Sequence, residues 1–567
     1  MKTKKSTPTT IRVGFAQMDP TVGDFEGNTK KIVSYIKEAD SRGVELLIFP
    51  ELVVTGYPVW DLANNASFVE RSMKSLAEIT AQTRNLNMAV IIGYIQKGSG
   101  GSFRGRSHNA ASIIRNGKII VRQFKTLLPT YDVFLEEIFF EPSKHQQVVP
   151  LFGTNVGLSI CEDLWEDNYE QKPLSTLKKK GAKLIINISA SPFHRNKGEF
   201  RAKLISRKAK QYKTFLLYCN QVGSQDDLIF DGRCLVSDPK GRIVFESAAF
   251  REGLYDFVLD LAKPMPGVQI ADTRSEIAEI YDALVLGIRD YVRKNRFQKV
   301  LVGLSGGIDS ALTAVLAADA LGASNVLGIT LPGPFSSVGS VEDSKKLAKN
   351  LGIEFREHSI RTLYDNKLKE IIDNKKRENL AVTEESKITL AMENLQARLR
   401  ALELMYISND EKRLLLSTGN KSELAMGYCT LYGDMSGGLC VLGDVYKTDV
   451  YQLTEYRNRI SHVIPQETIS KKPSAELRPN QTDQDSLPPY EVLDEIIRLY
   501  IEGNKNPGDI ERLVRGKVDS SLVREVIRKV DHNEYKRRQA APILRVTEKA
   551  WFGRRMPITN RFDLGEV

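Results

Sequence analysis

One short stretch near the middle of the chain, residues 300–310, constrains the fold more than any other. It reads V-L-V-G-L-S-G-G-I-D-S and runs directly into a helical pattern from Ala311. The apolar run from Val300 to Leu304 predicts a fully buried parallel strand. Gly306 and Gly307 let the backbone turn tightly and approach a ligand, and the helix behind them presents unpaired N–H groups. The stretch predicts a parallel α/β domain with a phosphate-binding loop, the alternative being a turn without a ligand.

The rest of the chain falls into two parts with different patterns. From residue 11 to about residue 266, short strand patterns alternate with helices, and Asn116–Gly117 and the stretch 238–241 indicate tight hairpins. We expect a mixed sheet there, covered by helices. From about residue 273, long helical patterns alternate with buried strands, which is typical of a doubly wound parallel sheet. These patterns predict a disordered tail at residues 1–10, a first domain at residues 11–266 and a second at residues 267–567.

Composition narrows the class of protein. The 567 residues, 41% hydrophobic and 27% charged, are enough for two or three soluble globular domains. No apolar run approaches the roughly 18 residues of a membrane span. The five cysteines form no Cys-x-x-Cys pair, which favours a reducing cytoplasm and argues against a zinc site. The net charge of +10 comes from basic residues spread through the chain among 71 acidic ones, so it suits polyanionic small substrates as well as nucleic acid and does not decide between them.

Three reactive side chains lie beside strand patterns in the first part of the chain. Cys161 directly follows the apolar run 156–160, Glu51 follows the run 44–49, and Lys125 precedes a loop fixed by Pro129. A cysteine at a strand end can attack a carbonyl, because N–H groups of the following turn can stabilise the oxyanion. Alone, a buried cysteine is usually a small apolar group, and a loop Glu or Lys is usually solvated. Because each of the three lies at a strand end, they can converge on one site although they are far apart in the sequence.

These segments resemble the nitrilase, or carbon–nitrogen hydrolase, superfamily, whose fold is an α-β-β-α sandwich with a Glu-Lys-Cys triad. The resemblance implies that Glu51 is the general base, that Lys125 supports the tetrahedral intermediate and that Cys161 forms a thioester with an amide carbonyl. Residues 187–195, N-I-S-A-S-P-F-H-R, resemble the glutamine-binding segment of one branch of this superfamily. By the same resemblance Glu136 is an additional glutamate of the catalytic site, and three residues contact glutamine: Tyr131, Ser189 and Arg195.

The stretch 305–310, S-G-G-I-D-S, resembles the signature of PP-loop ATP pyrophosphatases and lacks the lysine of a Walker A loop. Polar segments at 331–337, 393–400, 417–423 and 472–477 add a resemblance to NAD synthetases. With the nitrilase-like part, the chain resembles glutamine-dependent NAD⁺ synthetases from residue 11 to about residue 561. The resemblance assigns ATP to Gly303, Leu304, Ser305, Gly306, Gly307, Ile308, Asp309, Ser310, Thr418 and Lys447. It assigns deamido-NAD⁺ to Asn394, Arg398, Glu423 and Lys536, and Mg²⁺ to Asp309 and Glu423.

The resemblance implies a two-stage ligation. ATP adenylates the nicotinate carboxylate of deamido-NAD⁺ and releases pyrophosphate, and ammonia from glutamine then displaces AMP to give NAD⁺. Free ammonia is mostly protonated at neutral pH and an adenylate hydrolyses easily, so we expect ammonia to pass between two sites away from water. The implied partners are deamido-NAD⁺, glutamine, ATP and Mg²⁺, with no nucleic acid and no membrane. We also expect a cytoplasmic homo-oligomer.

Two other functions are compatible with parts of the sequence. A tRNA-modifying or other adenylating amidotransferase would keep the phosphate loop and bind nucleic acid through an added basic or Cys-rich segment, which we do not find. A nitrogen-sensing regulatory protein would carry a degenerate amidase part, whereas Glu51, Lys125 and Cys161 are all present. Both are therefore weaker hypotheses than the ligase.

Overall fold

The computed structural model describes residues 10–98, 107–263, 274–382 and 388–562. The chain divides into two compact units, Met1–Arg274 and Ser275–Val567. The predicted tail, apart from Thr10, and the predicted boundary between residues 266 and 267 lie outside the described residues. Within the described ranges, no helix has the length and apolarity that crossing a membrane requires.

The first unit is built mainly from short strands. Its strands are β1 Thr10–Gln17, β2 Leu46–Ile48, β3 Ala89–Lys97, β4 Ser107–Arg115, β5 Lys118–Phe124, β6 Val148–Leu151, β7 Thr154–Ile160, β8 Leu184–Ser189, β9 Phe215–Asn220, β10 Val222–Gln225, β11 Leu228–Asp231, β12 Leu235–Ser237, β13 Ile243–Glu246 and β14 Gly253–Asp260. Its helices are α1 Phe25–Ser41, α2 Ala66–Gln82, α3 Glu136–Phe139, α4 Pro173–Lys179 and α5 Lys197–Tyr212.

Two six-stranded sheets make up this unit, in the orders β14-β1-β2-β3-β4-β5 and β13-β12-β9-β8-β7-β6, while β10 pairs with β11. Each sheet is parallel at its centre and antiparallel towards both edges. The predicted hairpins are confirmed: Asn116–Gly117 joins β4 to β5, and the stretch 238–241 lies between β12 and β13. The mixed sheet expected from the sequence is thus two sheets of similar topology.

The two sheets pack face to face. Phe15 and Ile91 of the first sheet share one buried core with Leu158 and Leu217 of the second. On the outer faces, α1 and α2 cover the first sheet, and α4 and α5 cover the second. The strands carry apolar side chains on both faces, so each sheet has to bury one face against the other sheet and one under helices. The predicted α-β-β-α sandwich is confirmed.

The second unit alternates helices and strands. Its strands are β15 Lys299–Gly303, β16 Val326–Thr330, β17 Glu354–Glu357, β18 Arg413–Ser417 and β19 Leu439–Cys440. Its helices are α6 Glu276–Lys294, α7 Ile308–Leu321, α8 Val338–Leu351, α9 Arg361–Arg377, α10 Leu390–Glu411, α11 Lys421–Met426, α12 Lys447–Ile460, α13 Gln466–Ser470, α14 Tyr490–Ile501, α15 Pro507–Leu513, α16 Ser520–His532 and α17 Glu534–Arg537.

These five strands form one sheet in the order β17-β16-β15-β18-β19, and all neighbours are parallel. Helices α9 and α10 pack on one face, whereas the apolar helix α7 contacts β15 and β16. The strand order reverses between β15 and β18, so the crevice beyond their carboxyl ends is the expected ligand site of such a sheet. The predicted doubly wound parallel sheet is confirmed.

Candidate functional site

Cys161 lies at a sharp elbow in the first unit. It directly follows β7 and begins a short 3₁₀ segment that ends at Asn168. Its φ of 43° is in the left-handed region, which a side chain larger than glycine occupies at a cost. The thiol is 6% exposed. A strained, buried cysteine at a strand end, followed by turning N–H groups, has the geometry of a nucleophile rather than of a packing residue.

The three other predicted catalytic side chains meet around one buried ammonium. Lys125 Nζ lies 2.8 Å from Glu51 Oε1 and 2.7 Å from Glu136 Oε2. The three side chains are each at most 5% exposed. Lys125 follows the end of β5, Glu51 follows β2, and Glu136 begins α3. Two carboxylates therefore share one cation beside the elbow.

Burial and these charges set the protonation of the group. Burial, reinforced by Glu51, raises the pKa of the Cys161 thiol well above its usual range, although Lys125 opposes this. Burial raises the pKa of Glu136 to about 7, and Lys125 limits the rise. Burial disfavours the Lys125 ammonium, but Glu136 and Glu51 outweigh it and raise the Lys125 pKa. The raised pKa favours the protonated thiol, and the charges that act on it include the Glu51 carboxylate and the Lys125 ammonium.

Contacts that the sequence did not predict fix both carboxylates. Asn109 Nδ2 donates to Glu51 Oε1 at 2.6 Å, and the Ala190 amide donates to Glu51 Oε2 at 2.8 Å. The Tyr57 hydroxyl donates to Glu136 Oε1 at 3.0 Å. These partners are up to 139 residues apart in the chain. No local sequence signal marks them, because the pairing depends on how the strands are arranged.

The predicted glutamine contacts surround the elbow unequally. The Tyr131 hydroxyl donates to both carboxylate oxygens of Glu162, the residue after the nucleophile, at 3.0 and 3.1 Å. Ser189 is buried at the end of β8 and donates to Asn187, whose amide contacts the Cys161 carbonyl oxygen at 3.4 Å. Arg195 is half-buried in the segment between β8 and α5.

Glu162 is the residue that sequence reasoning missed in this group. It is 4% exposed and also accepts a bond from Tyr169 at 2.9 Å, and burial raises its pKa. A buried carboxylate whose bonds come from neutral hydroxyls can take a cationic ligand group. The signal that could have found it is its place directly after the nucleophile.

The phosphate loop of the second unit joins β15 to α7. The Ser310 hydroxyl accepts a bond from the Ser305 amide at 3.2 Å and donates to the Gly307 carbonyl oxygen at 3.0 Å. Gly306 has a φ of +78°, and a Cβ on it would lie 2.5 Å from the Ser340 carbonyl oxygen. Glycine is therefore required at this turn. The loop sits at the carboxyl end of β15, with Ser305 exposed.

A second buried lysine lies beside this loop. Lys447, the first residue of α12, is 2% exposed; its ammonium contacts the Asp309 carboxylate and is 3.4 Å from Glu423 Oε1. Asn420 Nδ2 donates to Asp309 Oδ1 at 2.9 Å. Burial disfavours the Lys447 ammonium, but Asp309 and Glu423 outweigh it and raise its pKa. Burial raises the pKa of Glu423 to about 8, although Lys447 opposes this.

The predicted deamido-NAD⁺ residues converge on the segment 427–431, which follows α11. Asn394 Oδ1 accepts from the Thr430 hydroxyl at 2.8 Å, and the exposed Arg398 donates to the carbonyl oxygen of residue 431 at 3.2 Å. Lys536 Nζ donates to the carbonyl oxygens of residues 427 and 429 at 2.7 and 3.0 Å. Thr418 is half-buried directly after β18. A small cavity lined by Glu423 and residues 417, 419 and 429 lies between this segment and β18.

The donor set around Lys447 fits the predicted Mg²⁺. Asp309 and Glu423 bring carboxylate oxygens to the same ammonium, next to the phosphate loop. Mg²⁺ in nucleotide enzymes is bound by one or two carboxylates together with phosphate oxygens and water. These two residues would hold the ion.

Comparison with known proteins agrees with both halves of the geometry. Residues 12–263 match the family model described as carbon-nitrogen hydrolase, and residues 280–540 match the model described as NAD synthase. A Thermotoga maritima protein described as glutamine-dependent NAD(+) synthetase is 41% identical over 97% of this chain and 99% of its own length. The chain belongs to the glutamine-dependent NAD(+) synthetase family. Both resemblances inferred from the sequence are therefore confirmed, and the protein is an enzyme of this family.

Two further members of the family are similarly close. The glutamine-dependent NAD(+) synthetase of Aquifex aeolicus is 41% identical over 97% of this chain and all of its own length. The solved structure of the Acinetobacter baumannii enzyme, in complex with adenosine diphosphate, is 37% identical, with a TM-score of 0.75. It covers 97% of this chain and 99% of its own. The family uses ATP, in agreement with the predicted co-substrate.

Proposed function

We propose that this chain makes NAD⁺ from deamido-NAD⁺, using ATP and ammonia that it releases from glutamine. The observation that carries the proposal is that each unit brings a buried lysine together with two carboxylates at a predicted site. In the first unit these are Lys125, Glu51 and Glu136, whose charges act on Cys161, and in the second unit a lysine with two carboxylates lies beside the glycine loop. A protein with only the amidase site could release ammonia but not make NAD⁺. A protein with only the ligation site could not obtain ammonia from glutamine.

In the first unit, the Cys161 sulfur attacks the side-chain amide carbon of glutamine while Glu51 accepts the thiol proton. Lys125 supports the oxyanion of the tetrahedral intermediate, with Glu136 holding its ammonium in place. The carbon–nitrogen bond then breaks, Glu51 returns the proton to the leaving nitrogen, and ammonia and a thioester result. Water hydrolyses the thioester to glutamate and the free thiol.

Binding of glutamine follows from the groups around the elbow. The Glu162 carboxylate takes the α-ammonium of glutamine, and Arg195 takes its α-carboxylate. Tyr131 holds Glu162, while Ser189 lies at the side of the elbow near Asn187. We expect the reacting amide to lie over Cys161 because Glu162 is its neighbour in the chain.

In the second unit, an oxygen of the nicotinate carboxylate attacks the α-phosphorus of ATP, and pyrophosphate leaves. The loop from Gly303 to Ser310 and Thr418 bind the nucleotide, and Lys447 neutralises charge on its phosphates. Ammonia then attacks the carbonyl carbon of the adenylate, loses a proton and displaces AMP. Mg²⁺ bound to Asp309 and Glu423 would supply charge neutralisation on the phosphate oxygens.

The dinucleotide is assigned to the other side of the same crevice. Asn394, Arg398 and Lys536 all contact the segment 427–431, so a ligand lying along that segment can reach all three side chains. Glu423 lines the cavity beside this segment and contacts Lys447 near the phosphate loop, so in this proposal it would be near the reacting carboxylate as well as the phosphates.

The test is nitrogen transfer followed by mass spectrometry. The protein receives ATP, Mg²⁺, deamido-NAD⁺ and glutamine labelled with ¹⁵N in its side-chain amide. We expect ¹⁵N-labelled NAD⁺, glutamate, AMP and pyrophosphate in equal amounts. Glutamate without NAD⁺ would refute the proposed acceptor and direct the search to another acceptor, starting with tRNA.

A matched variant separates the two sites. Cys161→Ala is expected to abolish labelled NAD⁺ from glutamine while leaving synthesis from ammonium chloride at the wild-type rate. Cys234→Ala, at a buried thiol in the core between the two sheets of the first unit, controls for loss of a cysteine as such. Loss of ammonium-driven synthesis in Cys161→Ala would contradict the separation of the two reactions.

A further inference from the structure

One buried carboxylate near the glutamine site has no role in the reaction described above. Asp163 is 1% exposed and lies two residues after the nucleophile. Its Oδ1 accepts bonds from the amides of Thr126 and Leu127 at 3.0 and 2.9 Å, and its Oδ2 accepts from the amide of Ile160 at 3.0 Å. These three donors belong to two separate parts of the chain.

The two parts are the ones that carry the lysine and the nucleophile. Thr126 and Leu127 directly follow Lys125, at the point where β5 has ended and its ladder no longer binds their amides. Ile160 directly precedes Cys161, at the end of β7. One oxygen of Asp163 therefore holds the lysine side, and the other holds the cysteine side.

This bridge crosses the strained residue. Cys161 has a φ of 43°, and such a conformation persists only where the surroundings fix it from several directions. The bonds of Asp163 reach back over Cys161 to Ile160, which closes the elbow, and at the same time they tie it to the lysine loop. Burial raises the pKa of Asp163 to about 7, while the three amides oppose the rise.

We propose that Asp163 is a positioning residue of the glutamine site, which sets the distance between the Cys161 sulfur and the Lys125 ammonium by bridging their backbones. The inference rests on the proposed glutamine hydrolysis. Asp163 does not contact the reacting atoms in this scheme. Its effect is on the alignment of the nucleophile with the cation that supports the tetrahedral intermediate, and a misplacement of about 1 Å can cost on the order of 100-fold in rate.

Asp163→Asn is the main test variant. The amide keeps the shape of the side chain, but it has only one acceptor oxygen, so its NH₂ group must face an amide N–H on one side of the bridge. We expect kcat for glutamine hydrolysis to fall by about 100-fold with the KM for glutamine unchanged. Ammonium-driven NAD⁺ synthesis, which uses the second unit, is expected to stay at the wild-type rate.

A matched control is available in the same unit. Asp238 is 2% exposed, and its Oδ1 accepts from the amides of Lys240 and Arg242 at 2.9 and 3.0 Å within its own hairpin turn. Asp238→Asn makes the same chemical change to a buried carboxylate that binds backbone amides. We expect it to retain the wild-type kcat for glutamine.

The fraction of folded first unit is measured independently of activity. Cys219 and Cys234 are completely buried between the two sheets, so their protection from alkylation, read by mass spectrometry, reports folding of this unit. If kcat of Asp163→Asn falls only in proportion to the protected fraction of Cys219 and Cys234, the loss reflects unfolding and the proposal is overturned. A kcat close to that of the wild type, or an equal loss in Asp238→Asn, would also overturn it.

A second variant covers the case in which Asp163→Asn does not fold. Asp163→Glu keeps two acceptor oxygens but displaces them by one methylene group, so we expect it to protect Cys219 and Cys234 and to lower kcat for glutamine relative to the wild type with KM unchanged. A protected Glu variant with the wild-type kcat would refute the bridge. If the wild-type chain itself releases no glutamate from glutamine, the proposed function fails, and that outcome is separate from the role of Asp163.

Discussion

Replacing Lys125 by methionine removes one charge from the centre of the glutamine site and little else. Methionine has nearly the same length, so the cavity around the side chain stays filled. The lost ammonium is 2.8 Å from Glu51 and 2.7 Å from Glu136, and it is buried. We expect glutamine hydrolysis by Lys125→Met to slow by about 1000-fold, the upper range for loss of one preorganised oxyanion donor.

The same change has a cost in stability that depends on pH. Glu136 has a pKa of about 7 even beside Lys125, against an ordinary value of 4.5, so its ionised form is already disfavoured by about 3 kcal/mol. Without Lys125 this pKa rises further. A glutamate with a raised pKa in the folded state loses stability as pH rises from its unfolded value to its folded value. The difference in the free energy of unfolding between wild type and Lys125→Met should therefore widen above pH 7. It should approach the roughly 3–5 kcal/mol that is typical of a broken buried pair.

Urea titrations at pH 6 and pH 8.5, followed by alkylation of Cys219 and Cys234, measure this difference for the first unit alone. Lys208→Met is the control: Lys208 is also buried, with Glu166 and Asp167 as its partners, but away from the elbow. We expect Lys208→Met to destabilise the unit and to keep the wild-type kcat per folded unit. A kcat of Lys125→Met within about tenfold of the wild-type value would refute the reasoning. So would a difference in unfolding free energy from the wild type that is the same at both pH values.

Three further predictions concern single positions. Gly306→Ala places a Cβ 2.5 Å from the Ser340 carbonyl oxygen at a φ of +78°, so we expect the KM for ATP in ammonium-driven synthesis to rise by about tenfold or more, with glutamine hydrolysis alone unaffected. Lys447→Met removes the cation beside Asp309 and should slow NAD⁺ formation from either nitrogen source by about 100-fold or more; equal rates would contradict its role. Because burial raises the pKa of the Cys161 thiol, its alkylation by iodoacetamide should still be accelerating at pH 9, and a plateau below pH 8 would be contrary evidence.

Local signals explain what could be predicted from the sequence. The strand, glycine turn and helix at residues 300–321 depend on neighbours in the chain, and the structure has β15, the loop and α7 there. The hairpin at Asn116–Gly117 is equally local. The strand β14 was not predicted, since its pairing partner β1 lies some 240 residues earlier and its own sequence, G-L-Y-D-F-V-L-D, has no hairpin signal.

The candidate catalytic side chains carry a stronger sequence signal than the residues that hold them. Glu51, Lys125 and Cys161 are reactive types at strand ends, so their chemistry points to them. Asn109 donates one hydrogen bond, and Asp163 accepts two, across 36 to 58 residues of chain. A single sequence contains no signal for such bonds, because they exist only once the strands have paired and, for Asp163, once the two sheets have packed.

Both sites hold a buried lysine between two carboxylates, and the difference in their ligands decides what each lysine can do. In the proposed reaction Lys125 would face a neutral amide, so the surplus negative charge of its site would serve to move a proton. Lys447 would face the phosphates of ATP, which the carboxylates of Asp309 and Glu423 repel unless a divalent cation offsets them. EDTA should therefore abolish NAD⁺ synthesis and leave glutamine hydrolysis intact.

Asp309→Asn removes one of the repelling charges, so the variant should bind metal-free ATP roughly tenfold more tightly than wild type in calorimetry while losing synthesis. Weaker metal-free binding in that variant would show that Asp309 contributes to the nucleotide site through its bonds to Asn420 and Lys447, and not through repulsion.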